Sequence, residues 1–240
     1  MIYSPGNSAK QWIALDIEKR FKEGPKRILD LACGNGWIWE KFVQAHPDVS
    51  VVGVDFNEQA IRQGQERYRN MPAIQLSTAD AQSETFQNAF DFVVALSALE
   101  HVVDHPAFMK TAWNALKPGG IAYLNYDVGH FRHPSFMERL KAPLSQFLAM
   151  IGFEKWYRKE VNDAVFQRQA KAQGFRILNV RKHNLVLVKG LMKGASPEAV
   201  DAWYAFEERL GELFTPDKLD PVLWSTTVVL EKPLSVPSAQ

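Results

Sequence analysis

Short apolar segments alternate with amphipathic helical segments along the first half of the chain. Apolar runs such as residues 92–96 show no polar alternation, which is typical of strands that are buried on both faces. The pattern predicts strands at residues 27–32, 50–55, 73–77, 90–96 and 120–126, and helices at residues 37–46, 57–70 and 106–116. Such an alternation predicts an α/β fold with a parallel sheet and helices on both of its faces.

The segments outside this alternation predict a covering helix and two insertions. Residues 7–23 have the pattern of an amphipathic helix, with Trp12, Leu15 and Phe21 facing inward. The alternation stops after residue 127, and an aromatic-rich stretch follows it. We therefore predict one domain over residues 1–240, made of an N-terminal helix (1–24), a core (25–126), two cap insertions (127–166 and 190–223) and a flexible tail (233–240).

Further elements are predicted within the second half of the chain. A helix is expected near residues 160–173, a long strand within 175–188 and a final strand at 226–230. Ser196 followed by proline is a typical helix start. The helix that begins there carries an apolar pattern at Val200, Trp203, Phe206 and Leu210.

Composition restricts the classes of function that need to be considered. The chain has 240 residues and a net charge of +1, and its acidic and basic residues are interspersed, so no general field attracts nucleic acid or an anionic membrane. No segment approaches the roughly 20 apolar residues of a membrane span. The single cysteine, Cys33, permits neither an internal disulfide nor a cysteine-based zinc site. We expect a cytoplasmic protein, monomeric or homodimeric, without a nucleic-acid or membrane partner.

The most informative stretch is an apolar strand that leads into a Gly-x-Gly turn and then a helix. Gly34 and Gly36 lack Cβ, so the backbone there can turn sharply and approach a ligand closely. Asp55 ends the next strand, about 20 residues on, where a carboxylate can accept both hydroxyls of a ribose. A dinucleotide-binding turn would have a small residue at position 39, and Trp39 occupies it. These residues favour a compact ligand with a ribose over one with a pyrophosphate.

At these residues the chain resembles the class I S-adenosylmethionine-dependent methyltransferases, in particular the small-molecule group that includes ubiquinone-biosynthesis C-methyltransferases. The matching motifs come in the family's order: LDLACGNG at 29–36, GVD at 53–55, Asp80-Ala81, FDFVVAL at 90–96 with LEH at 99–101, and LKPGG at 116–120. The resemblance covers about half of the chain. It implies a Rossmann-like sheet of seven mostly parallel strands, the last of them antiparallel, and S-adenosylmethionine as the cofactor.

The resemblance also implies a role for individual residues. Asp55 would accept the ribose hydroxyls, and Asn57 is an equally good helix cap, so capping does not require Asp55. Asp30 would orient the methionine ammonium, directly or through water. The remaining implied cofactor-site residues are Ala32, Gly34, Asn35, Gly36, Phe56, Asp80, Ala81, Leu96, Ser97 and His101. The N-terminal helix would lie across the cofactor pocket.

Two histidines are spaced like a metal-binding pair, but the local sequence disfavours a metal. His101 and His105 have the i, i+4 spacing of helical ligands. Pro106 pushes His105 away from helical geometry, so His105 is expected to begin the next helix rather than to share one with His101. No third ligand accompanies them. We predict no metal, and a packing role in the cofactor site is favoured for His101 over that of general base.

The acceptor is expected beyond the carboxyl ends of the strands, where open α/β sheets bind ligands. The best acceptor-side candidates follow the fifth predicted strand into that region, and they are Tyr126, Asp127, His130 and His133. If the acceptor is a hydroxyl, His130 or His133 would take its proton, Tyr126 would help to place it, and His101 is the next candidate base. The two histidines can equally be ordinary residues of a surface loop.

The predicted function is methyl transfer to a small molecule or a peptide residue. Amino-methylating enzymes of nucleic acids carry an Asn- or Asp-Pro-Pro-aromatic run after the fourth strand, and here residues 97–100 read SALE. Cytosine-carbon enzymes need a cysteine at that place. A non-catalytic S-adenosylmethionine-binding sensor or partner subunit stays open as the alternative, because capture of the cofactor does not prove an acceptor site. A dehydrogenase is a more distant possibility.

Overall fold

The structure is a computed structural model that describes residues 7–21, 23–83, 85–127, 143, 159–185, 191–192 and 194–234. Within these ranges, seven strands form one sheet in the order β3-β2-β1-β4-β5-β7-β6. Their bounds are β1 Lys26–Leu31, β2 Val49–Asp55, β3 Ile74–Thr78, β4 Phe90–Ala95, β5 Leu116–Asp127, β6 Arg176–Leu185 and β7 Leu223–Glu231. Strands β1 to β5 pair in parallel, and β7 lies antiparallel between β5 and β6. The predicted Rossmann-like sheet of seven mostly parallel strands, the last of them antiparallel, is confirmed.

Seven α-helices are described: α1 Ser8–Lys19, α2 Glu40–Ala45, α3 Glu58–Arg67, α4 His105–Ala115, α5 Asp163–Ala172, α6 Pro197–Leu213 and α7 Pro216–Leu219. Several begin at a side-chain cap that satisfies a free backbone N–H. Asn57 caps α3 by accepting from the amide of Ala60 at 3.2 Å, so the helix cap is Asn57 and not Asp55. Ser196 caps α6, as predicted.

The predicted bounds differ from the observed ones mainly where turns were expected. The predicted helix at 37–46 is a 3₁₀ turn, Trp37–Trp39, followed by the short α2. Strand β5 begins at Leu116 instead of residue 120, because the Pro-Gly-Gly segment forms a bulge within the strand and not a loop before it. Phe90 pairs with Leu116, Phe92 pairs with Ile121, and the register shifts between them.

Two apolar cores cover the two faces of the sheet. One face packs against α4 and α5, with Phe108, Met109 and Phe166 buried there. The other face packs against α1, α2 and α3, with Ile17 and Phe42 among its buried residues. Both faces of the central strands are therefore dry, and the carboxyl ends of β1 and β4 meet at the point where the strand order reverses.

The prediction for the inward face of α1 is incomplete, because Leu15 and Phe21 are only half-buried and other residues are more deeply buried. Ile13, Ala14 and Ile17 are the buried apolar residues of this helix. Trp12 is half-buried, with its ring 6.5 Å from that of Tyr123. The whole first turn is covered as well, because α1 packs against β6, β7 and α6 and not against one layer alone.

Helix α6 is joined to the end of β6 by the carboxylate of Glu207, and only part of its predicted apolar face is buried. Val200 is buried, but Phe206 is half exposed, and Glu207 is the other buried residue of this helix. The Glu207 carboxylate accepts hydrogen bonds from the amides of Asn184 at 2.9 Å and Leu185 at 2.8 Å, and from the Ser8 hydroxyl. These bonds join α6, the end of β6 and the start of α1. Within the described ranges, no helix is long and apolar enough to cross a bilayer.

Candidate active site

The glycine turn after β1 has the left-handed geometry that its sequence predicts. Gly34 and Gly36 have φ values of 57° and 67°, and Ala32, which is not a glycine, has φ 61°. A Cβ placed on Gly34 would meet nothing within 4 Å, whereas one on Gly36 would lie 3.2 Å from Leu76. Gly34 therefore faces open space where a ligand can approach the backbone. Gly36 instead permits the turn to pack on β3.

Helix α3 also approaches this turn closely through a glycine. A Cβ on Gly64 would lie 2.6 Å from the carbonyl oxygen of Asn35 and 2.3 Å from Leu76. Asn35 itself accepts from the amide of Trp37 at 3.3 Å through its side chain. Cys33 packs against Gly53, and burial raises the pKa of its thiol. These contacts support a packing role for Cys33.

Asp55 is fixed at the end of β2 by two backbone amides. Its Oδ2 accepts from Gly34 at 2.8 Å, and its Oδ1 accepts from Asn57 at 2.7 Å. A carboxylate has about four lone-pair sites, so each oxygen keeps one for a further donor. The neighbouring side chain of Phe56 is 59% exposed. The Asp55 carboxylate is therefore held rigidly beside the Phe56 ring, and it can accept hydrogen bonds from two hydroxyl groups.

The backbone just before Asp80 is hydrogen-bonded to the backbone of Asp55. The amide of Ala79 donates to the carbonyl oxygen of Asp55 at 3.1 Å, and the Asp80 carboxylate accepts from the amide of Gln82 at 2.8 Å. Asp80 is exposed, and Ala81 is half-buried against the apolar core. The structure therefore brings together the glycine turn, Asp55 and the Asp80 turn, as the sequence predicts.

Asp30 is a buried carboxylate at the end of β1 whose pKa is strongly raised. It is 1% exposed, and its Oδ2 accepts a 2.6 Å hydrogen bond from the indole Nε1 of Trp39. Its Oδ1 is buried and has no hydrogen-bond partner. Burial raises the pKa of Asp30 to about 7, and Asp55 adds to this effect, while Trp39 and Lys10 oppose it. A cationic donor at Oδ1 would relieve the cost of burying this carboxylate.

The end of β4 turns at a second left-handed residue. Ser97 has φ 50°, and its amide donates to Asn125 Oδ1 at 3.0 Å. Leu96 and Ser97 are half-buried, and Ala98 is buried. The next residues form the 3₁₀ turn Leu99–His101. Left-handed residues that are not glycine cluster at functional sites, and here Ala32 and Ser97 end two neighbouring strands.

The two histidines of the apparent metal pair lie in separate elements. His101 is exposed at the end of the 3₁₀ turn, and His105 is the first residue of α4, as predicted. The Nε2 of His105 lies 2.8 Å from the carbonyl oxygen of Leu99, and burial lowers its pKa. Among the described residues, no group of three or more His, Cys, Asp or Glu side chains could hold a metal ion.

The structure places Tyr126 in the core, away from the solvent side of the site. Its side chain is 0% exposed, and its hydroxyl donates to Asp163 at 2.8 Å. Asp163 also accepts from the buried ammonium of Lys182 at 2.7 Å. Burial raises the pKa of Tyr126. Contact between Tyr126 and an acceptor is therefore not supported by its position, whereas His130 and His133 lie outside the described residues.

Three residues with a part in the site were not found from the sequence. The sequence identified Trp39 only as evidence against a pyrophosphate-binding turn. In the structure its indole donates the hydrogen bond to Asp30. Asn125 holds the turn after β4, and Lys10 lies 5.0 Å from the ring centroid of Trp37. A buried asparagine within an apolar strand is a signal that could have identified Asn125, because such a group needs partners.

Known proteins share sequence with the half of the chain that carries these residues. Residues 28–120 match the family model described as a methyltransferase domain. The demethylmenaquinone methyltransferase of Staphylococcus carnosus is 36% identical over 103 residues, which are 42% of this chain and 42% of that protein. The ubiquinone biosynthesis O-methyltransferase of Pseudomonas fluorescens is 31% identical over 113 residues, 45% of this chain and 47% of that protein. These matches span less than half the length of either relative.

Solved structures share the fold over nearly the whole chain. A putative sarcosine dimethylglycine methyltransferase from Galdieria sulphuraria superimposes with a TM-score of 0.62 at 17% identity, over 94% of this chain and 85% of that chain. The [4+2]-cyclase SpnF also gives a TM-score of 0.62 at 17% identity, over 94% and 82% of the two chains. Identity at this level shows the fold alone. Through the match of residues 28–120, together with the sheet and the cofactor motifs, the chain is similar to the class I S-adenosylmethionine-dependent methyltransferases.

Proposed function

We propose that this protein transfers the methyl group of S-adenosylmethionine to an O, N or C atom of a small molecule or a peptide residue. The observation that carries the proposal is the carboxylate of Asp55. Backbone amides of Gly34 and Asn57 fix one lone pair on each of its oxygens and leave the others for two ribose hydroxyls. The two remaining acceptor sites of Asp55 lie beside the exposed Phe56 ring, which is the arrangement that a ribose next to an aromatic base would require.

The methionine end of the cofactor fits the other half of the site. Asp30 has a buried oxygen without a partner, and the cofactor carries an ammonium group that would donate to it. Open space lies over Gly34, so a ligand can lie against the backbone there. Ala32, Asn35, Gly36, Leu96 and Ser97 would line the chain between these two ends. Asp80 and Ala81 would contact the adenine.

The chain's own residues would act mainly by positioning. A sulfonium supplies an activated methyl group, so the transfer is an in-line displacement that needs little covalent help. Holding the two reactants collinear in a dry pocket can contribute about 7–11 kcal/mol. Asp55 and Asp30 would fix the two ends of the cofactor, and the left-handed turn at Ser97 would shape the wall between the methyl group and the acceptor.

The acceptor side is proposed from the sequence. Residues 127–166 and 190–223 would form the cover that selects the acceptor. His130 or His133 would take a proton from a hydroxyl acceptor, and His101, exposed near the end of β4, is the next candidate. Because Tyr126 donates to Asp163 within the core, it would act on the acceptor only indirectly. We propose a monomer or homodimer in the cytoplasm.

The first experiment measures cofactor binding by isothermal titration calorimetry. S-adenosylhomocysteine, the demethylated product, is expected to bind the wild-type protein. Asp55→Asn is expected to weaken binding by about 1.5–3 kcal/mol, the range for hydrogen bonds to a charged group. The matched control is Asp91→Asn, because Asp91 also accepts from a backbone amide, that of Arg27 at 2.9 Å, but at the opposite edge of the sheet. Equal affinities of wild type and Asp55→Asn would contradict the ribose assignment.

The second experiment separates an enzyme from a protein that only binds the cofactor. Relatives are named for quinone-precursor substrates and a structural neighbour for sarcosine or dimethylglycine, while another neighbour of the same fold is named a cyclase. A panel of a catechol, a quinol and sarcosine, followed by a metabolite extract, would be incubated with S-adenosylmethionine. Mass spectrometry should detect a gain of ~14 Da and release of S-adenosylhomocysteine. Tight cofactor binding without any methylated product would support the sensor alternative.

A further inference from the structure

Asn125 is a buried amide whose hydrogen bonds connect the turn after β4 to strand β7. It is 1% exposed and lies near the carboxyl end of β5. Its Nδ2 lies 2.9 Å from the hydroxyl of Ser225, 3.0 Å from the carbonyl oxygen of Thr226 and 3.0 Å from the hydroxyl of Thr227. A polar group in a sheet interior is costly unless it is fully hydrogen-bonded, and this amide is bonded on both of its ends.

Asn125 also accepts hydrogen bonds from two consecutive residues of the β4 turn, one through its side chain and one through its main chain. Asn125 Oδ1 accepts from the amide of Ser97 at 3.0 Å, and the main-chain oxygen of Asn125 lies 3.4 Å from the amide of Ala98. The amide orientation follows from the network, since the Ser97 N–H can only donate and the Thr226 carbonyl can only accept. Asparagine is the residue that meets both demands at once.

The conformation that these bonds hold is unfavourable in itself. Ser97 has φ 50°, a left-handed conformation in which the Cβ of an L-residue is crowded. Strained residues persist where their surroundings over-determine them. The hydrogen bonds from residues 97 and 98 to one rigid neighbour supply that restraint at the position where β4 leaves the sheet.

We propose that Asn125 is a positioning residue that holds Ser97 in its left-handed conformation and thereby sets the wall against the methionine part of the cofactor. The proposal rests on the proposed function, because it assumes that residues 96–98 line that part of the ligand. In this role Asn125 would act through Ser97, whose amide it accepts from, and not by contact with a ligand. Its removal should therefore affect ligands that carry the amino-acid part more than ligands that lack it.

A double-mutant cycle tests this role with a defined probe. S-adenosylhomocysteine affinity would be measured by calorimetry for Asn125→Ala in the wild-type background and in the Ser97→Gly background. Glycine adopts left-handed φ values without a restraint. Asn125→Ala is expected to weaken binding about ten- to thirtyfold with serine at position 97, and less than about fivefold in the Ser97→Gly background. Asn125→Ser gives the same comparison if Asn125→Ala does not fold.

Two controls separate positioning from general packing. Thr227→Val removes one acceptor of Asn125 Nδ2 and leaves the Ser97 contact, so it is expected to lower stability to urea and to keep binding within about twofold. Asn184→Gly relieves another left-handed residue, with φ 64°, at a distance from the turn, and it should not rescue Asn125→Ala. A ligand control is 5′-methylthioadenosine, which lacks the amino-acid part and should lose less affinity than S-adenosylhomocysteine.

The outcomes distinguish this proposal from the proposed function. A smaller loss in the Ser97→Gly background, together with a larger loss for S-adenosylhomocysteine than for 5′-methylthioadenosine, supports positioning. Equal losses in both backgrounds, or for both ligands, would assign Asn125 to packing of β5 on β7 and overturn the inference. If the wild-type protein binds neither ligand, the proposed function itself fails and the inference fails with it.

Discussion

Asp30→Asn is the substitution that tests the electrostatics of the site most directly. The buried carboxyl has a pKa of about 7, mainly because burial disfavours its charged form. Asparagine has the same shape, and its oxygen can still accept from the Trp39 indole, which lies 2.6 Å from Asp30. The substitution therefore removes the ionisation and leaves the packing nearly unchanged.

The sign and the size of the effect follow from the two pKa values. In the unfolded chain Asp30 ionises near its ordinary value of 3.8, whereas in the folded protein it holds its proton until about pH 7. Stability that comes from the protonated folded state is complete below pH 3.8 and is lost as the pH rises to about 7. Between pH 5 and pH 8 the wild type should lose about 2–3 kcal/mol relative to Asp30→Asn.

Urea unfolding of both proteins at several pH values would measure this difference, and other titrating groups cancel in the comparison. Calorimetry supplies the ligand side. S-adenosylhomocysteine, with an ammonium group for Asp30, should bind the wild type about tenfold or more tightly at pH 7.5 than at pH 5.5. The affinity of 5′-methylthioadenosine should change little. Parallel pH profiles for the two proteins, or for the two ligands, would refute the reasoning.

Two further substitutions test packing near the site and far from it. Gly64→Ala would put a Cβ 2.6 Å from the carbonyl oxygen of Asn35, so it should lower the free energy of unfolding by about 1–3 kcal/mol and weaken S-adenosylhomocysteine binding in a titration. Lys182→Met removes a buried ammonium that lies 2.7 Å from both Asp163 and Asp220. Urea unfolding should show a loss of about 1–3 kcal/mol, below the 3–5 kcal/mol of a wholly buried pair, because both carboxylates reach solvent.

The strands and helices of the first half of the chain could be predicted because they depend on local signals. Uninterrupted apolar runs mark strands that are covered on both faces, and the helices between them begin at recognisable caps such as Asn57 and Ser196. The start of β5 was missed, since a Pro-Gly-Gly segment predicts a turn whether or not a neighbouring strand absorbs it as a bulge. The pairing of Leu116 with Phe90 depends on a partner 26 residues away in the chain.

The geometry of the glycine turn and of Asp55 was predictable for the same reason. Gly34, Gly36 and Asp55 are constrained by backbone geometry, and backbone geometry leaves a mark on the sequence. What could not be predicted was which side chains meet across elements. Trp39 reaches Asp30 from the following turn, and this contact changes the chemistry of the carboxylate without any local pattern that announces it.

The burial of Tyr126 shows what the sequence could not predict on the acceptor side. Tyr126 was placed toward the acceptor because it ends a strand at the correct edge of the sheet, but a strand presents alternate residues to opposite faces. Tyr126 faces the core that contains α5, where its ring centroid lies 5.4 Å from that of Phe166. In α6 the direction of side chains was also misjudged, since Val200 and Glu207 are buried whereas Phe206 is half exposed. The sequence predicts that a residue lies at the end of a strand more reliably than it predicts the face to which its side chain points.

Three unfavourable features of this structure lie where β1 and β4 end. Ala32 and Ser97 hold left-handed conformations there, and Asp30 keeps a buried oxygen without a partner. Each feature lowers the stability of the free protein, and a ligand that bonds to Asp30 would recover part of that loss. When a side chain serves only in packing, its replacement should lower both the stability of the protein and its affinity for the ligand. Asp30→Asn is expected instead to raise stability near pH 8 while it weakens S-adenosylhomocysteine binding, and this opposition of signs is what separates a binding group from a structural one.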